Sequence, residues 1–363
     1  MPTKQENQKL RSTRGEADNG SLQLDLAPGL DRDELISVVC NEFCRANRVG
    51  TIKKVVKDRY GIELTREQPY DIVRWAAANG RLQYIAPIES DLSLRLIEEH
   101  PWLRRVRTVH TTDASDVAFH AANVLLDIVR KWEKPELHVG FAGGGLMMET
   151  VKLLTNLLKT PGISVPKKIV VHALVAAAYN PACSPNSFLQ WFLDPDLPFE
   201  TDFVGLPAPG FATLRTLRVL RQLEGVREAF DSAREIDLLV TSAGAHWEKG
   251  CSALYESYKS LAGPDVLRSL GEAGAIGDVL WQPFGVAGAV ELEAGIRAVT
   301  LLGLSELPKL IADGRQLVLV VAPCGNCHQP KTDVLRAVLG LPSGSQFITH
   351  LVADSRAVLG LFR

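Results

Sequence analysis

Several stretches of this sequence carry residues whose types and spacing can hold a small ligand. Gly143-Gly144-Gly145 falls between an apolar run ending at Phe141-Ala142 and a helical stretch starting near Met147. Glycines there let the backbone approach an anion, and the helix that follows offers free N–H groups and the positive end of its dipole. The run lacks the spaced glycines of a dinucleotide fingerprint and the Lys-Ser/Thr of a P-loop. Two readings remain, a phosphate or sugar cradle and a tight turn with no ligand. Thr241-Ser242-Ala243-Gly244-Ala245-His246-Trp247 follows a second apolar run. Ser242, Gly244 and neighbouring amides suit sugar hydroxyls, and His246 or Trp247 can pack on a ring face; a bland loop is the alternative. Asp278, between Gly277 and another apolar run, can accept two sugar hydroxyls or cap a turn.

The stretch Pro323-Cys324-Gly-Asn-Cys327-His328-Gln-Pro-Lys331 lies between a strong strand pattern and a strong helix pattern. Cys-x-x-Cys-His is the attachment pattern of c-type haem, and Cys-x-x-Cys near a strand-to-helix turn also suggests thiol redox chemistry or zinc. Haem attachment needs an export route that the polar N-terminus does not suggest, and no second cysteine pair with zinc spacing appears. No cofactor and no metal are therefore expected. A redox pair of Cys324 and Cys327, or two reduced thiols in an ordinary loop, stay open. Lys331, at the start of the helix, can pair with a ligand phosphate or carboxylate.

These loops need a scaffold that presents them together. Short apolar runs alternate with helical stretches: Leu137–Phe141 then Met147–Leu158, Lys168–Leu174, Leu214–Gln222, Asp237–Thr241, Val266–Leu270, Gln316–Ala322 then Thr332–Leu339, and Phe347–Val352. That order predicts an α/β domain with a doubly wound, mostly parallel, Rossmann-like sheet over 113–363. Ligands of such sheets sit at the carboxyl ends of the strands.

The first part of the chain reads differently. Residues 1–29 look like a flexible tail, whose Lys4, Lys9, Arg11 and Arg14 can touch phosphates. From Asp31 the pattern turns helical, with Leu35, Ile36, Val38, Val39 and Phe43 on one face and Asp31 or Asp33 as a cap. A second helix, Thr51–Tyr60, ends at Gly61. Thr65 caps a third, with Pro69 in its first turn, and Arg81–Ile85 alternates like a wing strand. This is the order of a winged helix-turn-helix at 30–90, with 91–112 as a linker; a plain three-helix bundle is the competing reading. Between Arg45 and Arg81 nine Lys/Arg face four Asp/Glu, a local +5 in a chain of net charge −2. A basic segment on an acidic body suggests a polyanion partner. Arg66, Gln68, Tyr70 and Arg74 would face a major groove, with Lys53, Lys54 and Lys57 near phosphates. Glu67 and Asp71 on the same helix work against this.

The 363 residues suffice for one small and one large domain, and 46% hydrophobic with 23% charged residues is an ordinary globular balance. Six scattered cysteines argue against a disulfide framework. No apolar run is long enough to cross a membrane, so a cytoplasmic protein without membrane contact is expected.

Taken together the landmarks resemble the SorC/DeoR-type sugar-binding transcriptional regulators over nearly all of 31–363. They are Val139-Gly-Phe-Ala-Gly-Gly-Gly145 before a helix, Leu206-Pro-Ala-Pro209 followed by a helix and Asp237-Leu-Leu-Val, Leu270-Gly-Glu-Ala-Gly-Ala-Ile-Gly-Asp278-Val, and the strand, loop, Lys331 and helix near the end. The resemblance implies an N-terminal domain that binds operator DNA, an effector domain that oligomerises as a homodimer or homotetramer, and a sugar or sugar-phosphate effector bound at these loops. Two departures touch the ligand: Gly145-Leu146 stands where the family usually has Thr or Arg-Thr, and a Cys-rich stretch replaces the usual Gly-Gly before the lysine. A sugar-phosphate isomerase or deaminase-like enzyme, with Asp278 and His246 as acid and base, is the alternative.

Overall fold

A computed structural model describes residues 32–45, 47–78, 81–82, 85–176, 180–245, 250–290 and 295–363. The chain divides between Ile85 and Ala86 into two compact units. In the first, helices α1 (Arg32–Cys44), α2 (Val49–Tyr60) and α3 (Gln68–Ala78) surround a small core. Leu35, Ile36 and Val39 from α1 meet Ile52 and Val56 from α2, Leu64 from the turn, and Ile72 and Ala76 from α3. These positions recur three or four apart, which places them on one face of each helix.

Gly61 ends α2 at φ +71° and donates its N–H to the Lys57 carbonyl, a left-handed cap that glycine adopts without steric cost. Thr65 and Gln68 then cap α3 reciprocally: the Gln68 N–H donates to Thr65 Oγ1 at 3.3 Å, and the Thr65 N–H donates to Gln68 Oε1 at 2.7 Å. Pro69, buried at the second position of α3, falls where a helix needs no N–H. Asp33 lies inside the first turn of α1 and pairs with Arg81; Asp31, the other cap candidate, and the tail fall outside the described residues. Arg81 and Leu82, expected to begin a wing strand, are not extended, because both N–H groups turn back to the Ala76 carbonyl, at 2.7 and 3.1 Å. Gln83 and Tyr84 of that expected strand also fall outside the described residues.

The second unit is built on strands β1 (Arg105–Val109), β2 (Glu136–Phe141), β3 (Lys168–Ala173), β4 (Glu200–Val204), β5 (Phe211–Thr213), β6 (Leu238–Ala245), β7 (Ala275–Val279), β8 (Gln282–Gly285), β9 (Gly288–Ala289), β10 (Ile296–Ala298), β11 (Gln316–Val321) and β12 (His350–Asp354). Seven run in the order β1-β12-β11-β6-β2-β3-β4, every neighbouring pair parallel. Interleaved are α4 (Ser90–Glu99), α5 (Ala114–Arg130), α6 (Gly145–Leu158), α7 (Leu189–Phe192), α8 (Leu214–Leu220), α9 (Val226–Ser232), α10 (Ala253–Ala262), α11 (Asp265–Glu272), α12 (Leu307–Ala312), α13 (Thr332–Leu339) and α14 (Ser355–Leu359).

Both faces of the sheet are covered. In β11, Leu317, Leu319 and Val321 enter one apolar cluster with residues of α13 and α14, while Val318 and Val320 enter another with residues of α5 and α6. That is why the central strands read as unbroken apolar runs and not as alternating ones. The segment 91–112 is not a linker: it holds most of α4 and all of β1, whose Val106 and Val109 are buried in these clusters. Its arginines concealed the strand, since Arg105 reaches out to pair with Asp127 at 2.6 Å. No helix among the described residues is long and apolar enough to cross a membrane.

Chain order reverses between β2 and β6. From β2 the chain proceeds outward to β3 and β4, and from β6 it proceeds the other way to β11 and β12. This switch point opens a crevice at the carboxyl ends of the two strands. The turn-back is close packed: a Cβ on Gly140 of β2 would stand 2.5 Å from Leu174 Cδ2. Gly140→Ala should therefore lower stability by ~1–3 kcal/mol through overpacking, read as a fall in the urea midpoint at unchanged m-value; an unchanged midpoint would show that Leu174 moves aside freely.

Candidate functional site

The crevice at the switch point holds a cavity of about 300 Å³. Gly143, Gly144, Gly145, Ser242, Gly244, Asp278 and Lys331 all line it, although the sequence spreads them over nearly 190 positions. His246, proposed for the same site, and Trp247 lie outside the described residues. A cleft of about 360 Å³ bordered by Arg221, Tyr258, Gln282 and Arg297 draws none of these groups and no loop from a parallel strand end.

The first wall is the start of α6. Gly144 is its N-cap with φ +121°, a conformation closed to side chains, and its N–H donates to the Cys183 carbonyl at 2.9 Å. The next three N–H groups have no acceptor within the helix, and Gly145 and Leu146 border the cavity. An anion or a ligand oxygen is favoured there by those N–H groups and the helix dipole. Leu146 adds no hydroxyl to that cradle.

The second wall corrects two expectations. Ser242 and Gly244 are not in a loop: β6 continues to Ala245 because its last three residues pair antiparallel with β7, Gly244 opposite Asp278. Asp278 is likewise a strand residue and not a turn residue. A Cβ on Gly244 would stand 1.9 Å from Asp278 Oδ2, and one on Gly277 would stand 2.3 Å from the Gly244 carbonyl oxygen. The two glycines, one on each strand, thus let the carboxylate lie over β6.

Asp278 accepts from Ser252 Oγ at 3.1 Å. Burial pushes its pKa up to about 6, against the opposing pull of the Ser252 hydroxyl and the Lys331 charge. Lys331 precedes α13 and reaches across to donate from Nζ to the Ala243 carbonyl at 2.6 Å. Burial lowers its pKa, while the charges of Asp278, Cys324 and Asp354 raise it. An ammonium has three donors, so this contact leaves capacity for a ligand. The result is an acceptor and a donor side by side in the lining of the cavity, suited to hydroxyl groups.

The hairpin turn of β7 and β8 carries the most strained backbone of the site. Leu280 and Trp281 occupy it with φ of +51° and +57°. Two left-handed residues make a type I′ turn, normally given to Asn and Gly; here each costs about 1–2 kcal/mol. Trp281 is buried, lines the cavity, and donates from Nε1 to the Gly143 carbonyl at 3.3 Å. It joins the hairpin to the glycine loop. Sequence reading missed Trp281, Ser252 and Cys251; Gly277-Asp278 three residues ahead of Trp281 was the available signal for the first.

Cys324 and Cys327 sit on the loop between β11 and α13, as expected, and Cys251 joins them from the residue before Ser252. Their sulfur atoms lie within 4.8 Å of one another. For Cys324, burial works against ionisation, but backbone N–H groups of Cys327 and Asn326 and the two neighbouring thiols bring its pKa below the ordinary value.

In the first unit Lys54, Lys57, Arg66, Tyr70 and Arg74 are exposed, while Lys53 and Gln68 are half-buried. Gln68 gives its side-chain oxygen to the cap of α3. The ring edge of Tyr70 packs on Phe43, with centroids 5.9 Å apart. Lys57 pairs with Glu63, and Arg74 with Asp71 at 3.4 Å. Pairs this exposed are worth little and reorganise readily.

No family model matches the sequence, and no curated protein does either. Solved structures do match. The full-length sorbitol operon regulator SorC from Klebsiella pneumoniae aligns with 92% of this chain and 100% of its own at a TM-score of 0.61 and 12% identity. A transcriptional-repressor domain from Vibrio fischeri, assigned as sugar-binding, covers 76% of this chain and 98% of its own at a TM-score of 0.57 and 13% identity. A DeoR family transcriptional regulator from Listeria monocytogenes covers 75% and 98%, at 0.55 and 16%. The chain has the fold of these regulators.

Titration of Asp278 can be read in binding. The pKa is raised in the folded protein, so the proton contributes to stability below about pH 4 and that contribution is lost as pH rises through about 6. A ligand that donates hydroxyls to the carboxylate has the opposite requirement. Its affinity should be greatest above pH 6 and fall as pH drops through that value, and Asp278→Asn should flatten the profile. Calorimetric titrations from pH 5 to pH 8 decide it; a pH-independent wild type would place the hydroxyls elsewhere.

Proposed function

We propose that this chain is a ligand-responsive, DNA-binding transcriptional regulator whose larger unit binds a sugar or sugar phosphate and thereby changes operator affinity. The observation that carries the reading is the convergence of Gly143–Gly145, Ser242, Gly244, Asp278 and Lys331 on one cavity at the switch point, in a chain that also carries a basic helix-turn-helix. The sensing half follows from chemistry. Asp278 accepts ligand hydroxyls, Lys331 and the first amides of α6 donate, and Trp281 supplies an aromatic wall. A phosphate, where the ligand carries one, belongs at the start of α6, away from Asp278. The relatives in fold are transcriptional regulators, which supports a regulator over an enzyme.

For the DNA half, α3 is the recognition helix. Arg66 and Arg74 face bases and Lys54 and Lys57 face phosphates, while Tyr70 steadies α3 against α1. The protein works as a homodimer or homotetramer in the cytoplasm, because a two-fold operator demands a two-fold reader.

DNA selected from a random pool by the full chain supplies the operator. On it, Arg66→Ala and Arg74→Ala should each cost about 1–3 kcal/mol and relax the preference at one position, measured by fluorescence anisotropy. Unchanged affinity removes them from the interface; failure to enrich any sequence removes the DNA half of the proposal.

The ligand half is tested by thermal shift against matched sugars and sugar phosphates, where a binder raises the melting temperature by mass action. Lys331→Ala should abolish the shift and the change in DNA affinity that the ligand produces, leaving ligand-free DNA binding intact. A mutant that still responds would place the effector outside this crevice.

A further inference from the structure

We infer that Cys251, Cys324 and Cys327 form a three-thiolate binding site for one thiophilic metal ion of the zinc class, bordering the ligand cavity. The sulfurs come from two distant parts of the sequence yet lie within 4.8 Å of one another in all three pairings. A tetrahedral zinc ion with Zn–S bonds of about 2.3 Å holds its thiolates about 3.8 Å apart. The sulfurs therefore have to close by no more than about 1 Å to meet that geometry. A disulfide, by contrast, would use only two of the three sulfurs.

The backbone supports the arrangement. The His328 N–H donates to the Cys324 carbonyl at 2.9 Å and the Cys324 N–H donates to the Gln329 carbonyl at 3.0 Å. These two bonds close the loop on itself and fix the turn that carries Cys324 and Cys327. Cysteine thiolates select zinc, copper(I) and cadmium over magnesium or calcium. Three protein sulfurs leave the fourth tetrahedral position to water or to a small ligand.

Cys251, Gly325 and Asn326 border the cavity, and Lys331 follows on the same loop. An ion bound here therefore ties the start of α10 to the loop that positions Lys331. The inference does not rest on the regulatory reading, and its test needs neither DNA nor sugar.

The full chain, reduced and freed of metal, is titrated with Co²⁺ as a coloured stand-in and then with Zn²⁺. One equivalent of Co²⁺ should produce the thiolate charge-transfer band and the visible bands of tetrahedral cobalt, and one equivalent of Zn²⁺ should erase them. Cys251→Ser and Cys324→Ser should each weaken Zn²⁺ binding by at least about tenfold, the lower bound for losing even an outer partner of a metal ligand. Cys44→Ser, in the other unit, should leave it unchanged. Should the serine variants misfold, alkylation of the unsubstituted protein answers instead. Zn²⁺ should protect Cys251, Cys324 and Cys327 and no other cysteine, as mapped by mass spectrometry. Equal alkylation with and without Zn²⁺, absence of the cobalt bands, or Zn²⁺ affinity indifferent to Cys251→Ser overturns the site.

Discussion

The candidate site depends on the close approach of β7 to the end of β6, where Asp278 lies over Gly244. Any side chain at 244 would occupy the space of the carboxylate, and any at 277 would strike the backbone of β6. Because both are glycine, the antiparallel hairpin seats itself against a strand whose other neighbours are parallel. That seating buries a carboxylate, and a buried carboxylate must be paired or hydrogen-bonded. Ser252 bonds to it, and the charge of Lys331, held on the Ala243 carbonyl, acts on it. The hairpin then has only two residues in which to reverse, which drives Leu280 and Trp281 into left-handed backbone. Trp281 reaches back to Gly143 and closes the ring of elements around the cavity.

The same packing sets the electrostatics. Lys331 is flanked by Asp278 and Asp354, and one oxygen of Asp354 caps α14 while the other has no hydrogen-bond partner. A lone lysine would make the floor of the crevice an anion trap. With Asp278 lining the same cavity, a donor and an acceptor stand side by side there, and Asp354 further offsets the lysine charge. The start of α6, which borders the same cavity, favours negative charge.

The smaller unit uses local devices in place of a large core. A glycine cap, a reciprocal Thr65–Gln68 box and a proline in the first turn define the turn between α2 and α3. Each operates within a few residues, and the buried cluster is small. Such a unit keeps its basic side chains exposed because its interior has no room for them.

What the sequence alone determined is what local physics controls. The parallel sheet was legible from apolar runs punctuated by helices, since strands buried on both faces cannot hide their composition. Gly61, Thr65 and Pro69 marked the turn between α2 and α3 by their own backbone preferences. The glycine loop, Asp278 and Lys331 could be picked out by residue type and spacing, and the structure draws them to one cavity. Tertiary structure decided the rest. It drew β1 out of a segment that looked like a linker, because strand pairing with β12 offsets the cost of its arginines in a way no window of sequence displays. It extended β6 by giving it a partner, β7, from beyond residue 270. It also brought Cys251 to Cys324 and Cys327, a meeting invisible to motif spacing because the third sulfur comes from the segment after β6, the strand paired beside β11, and not from the same loop.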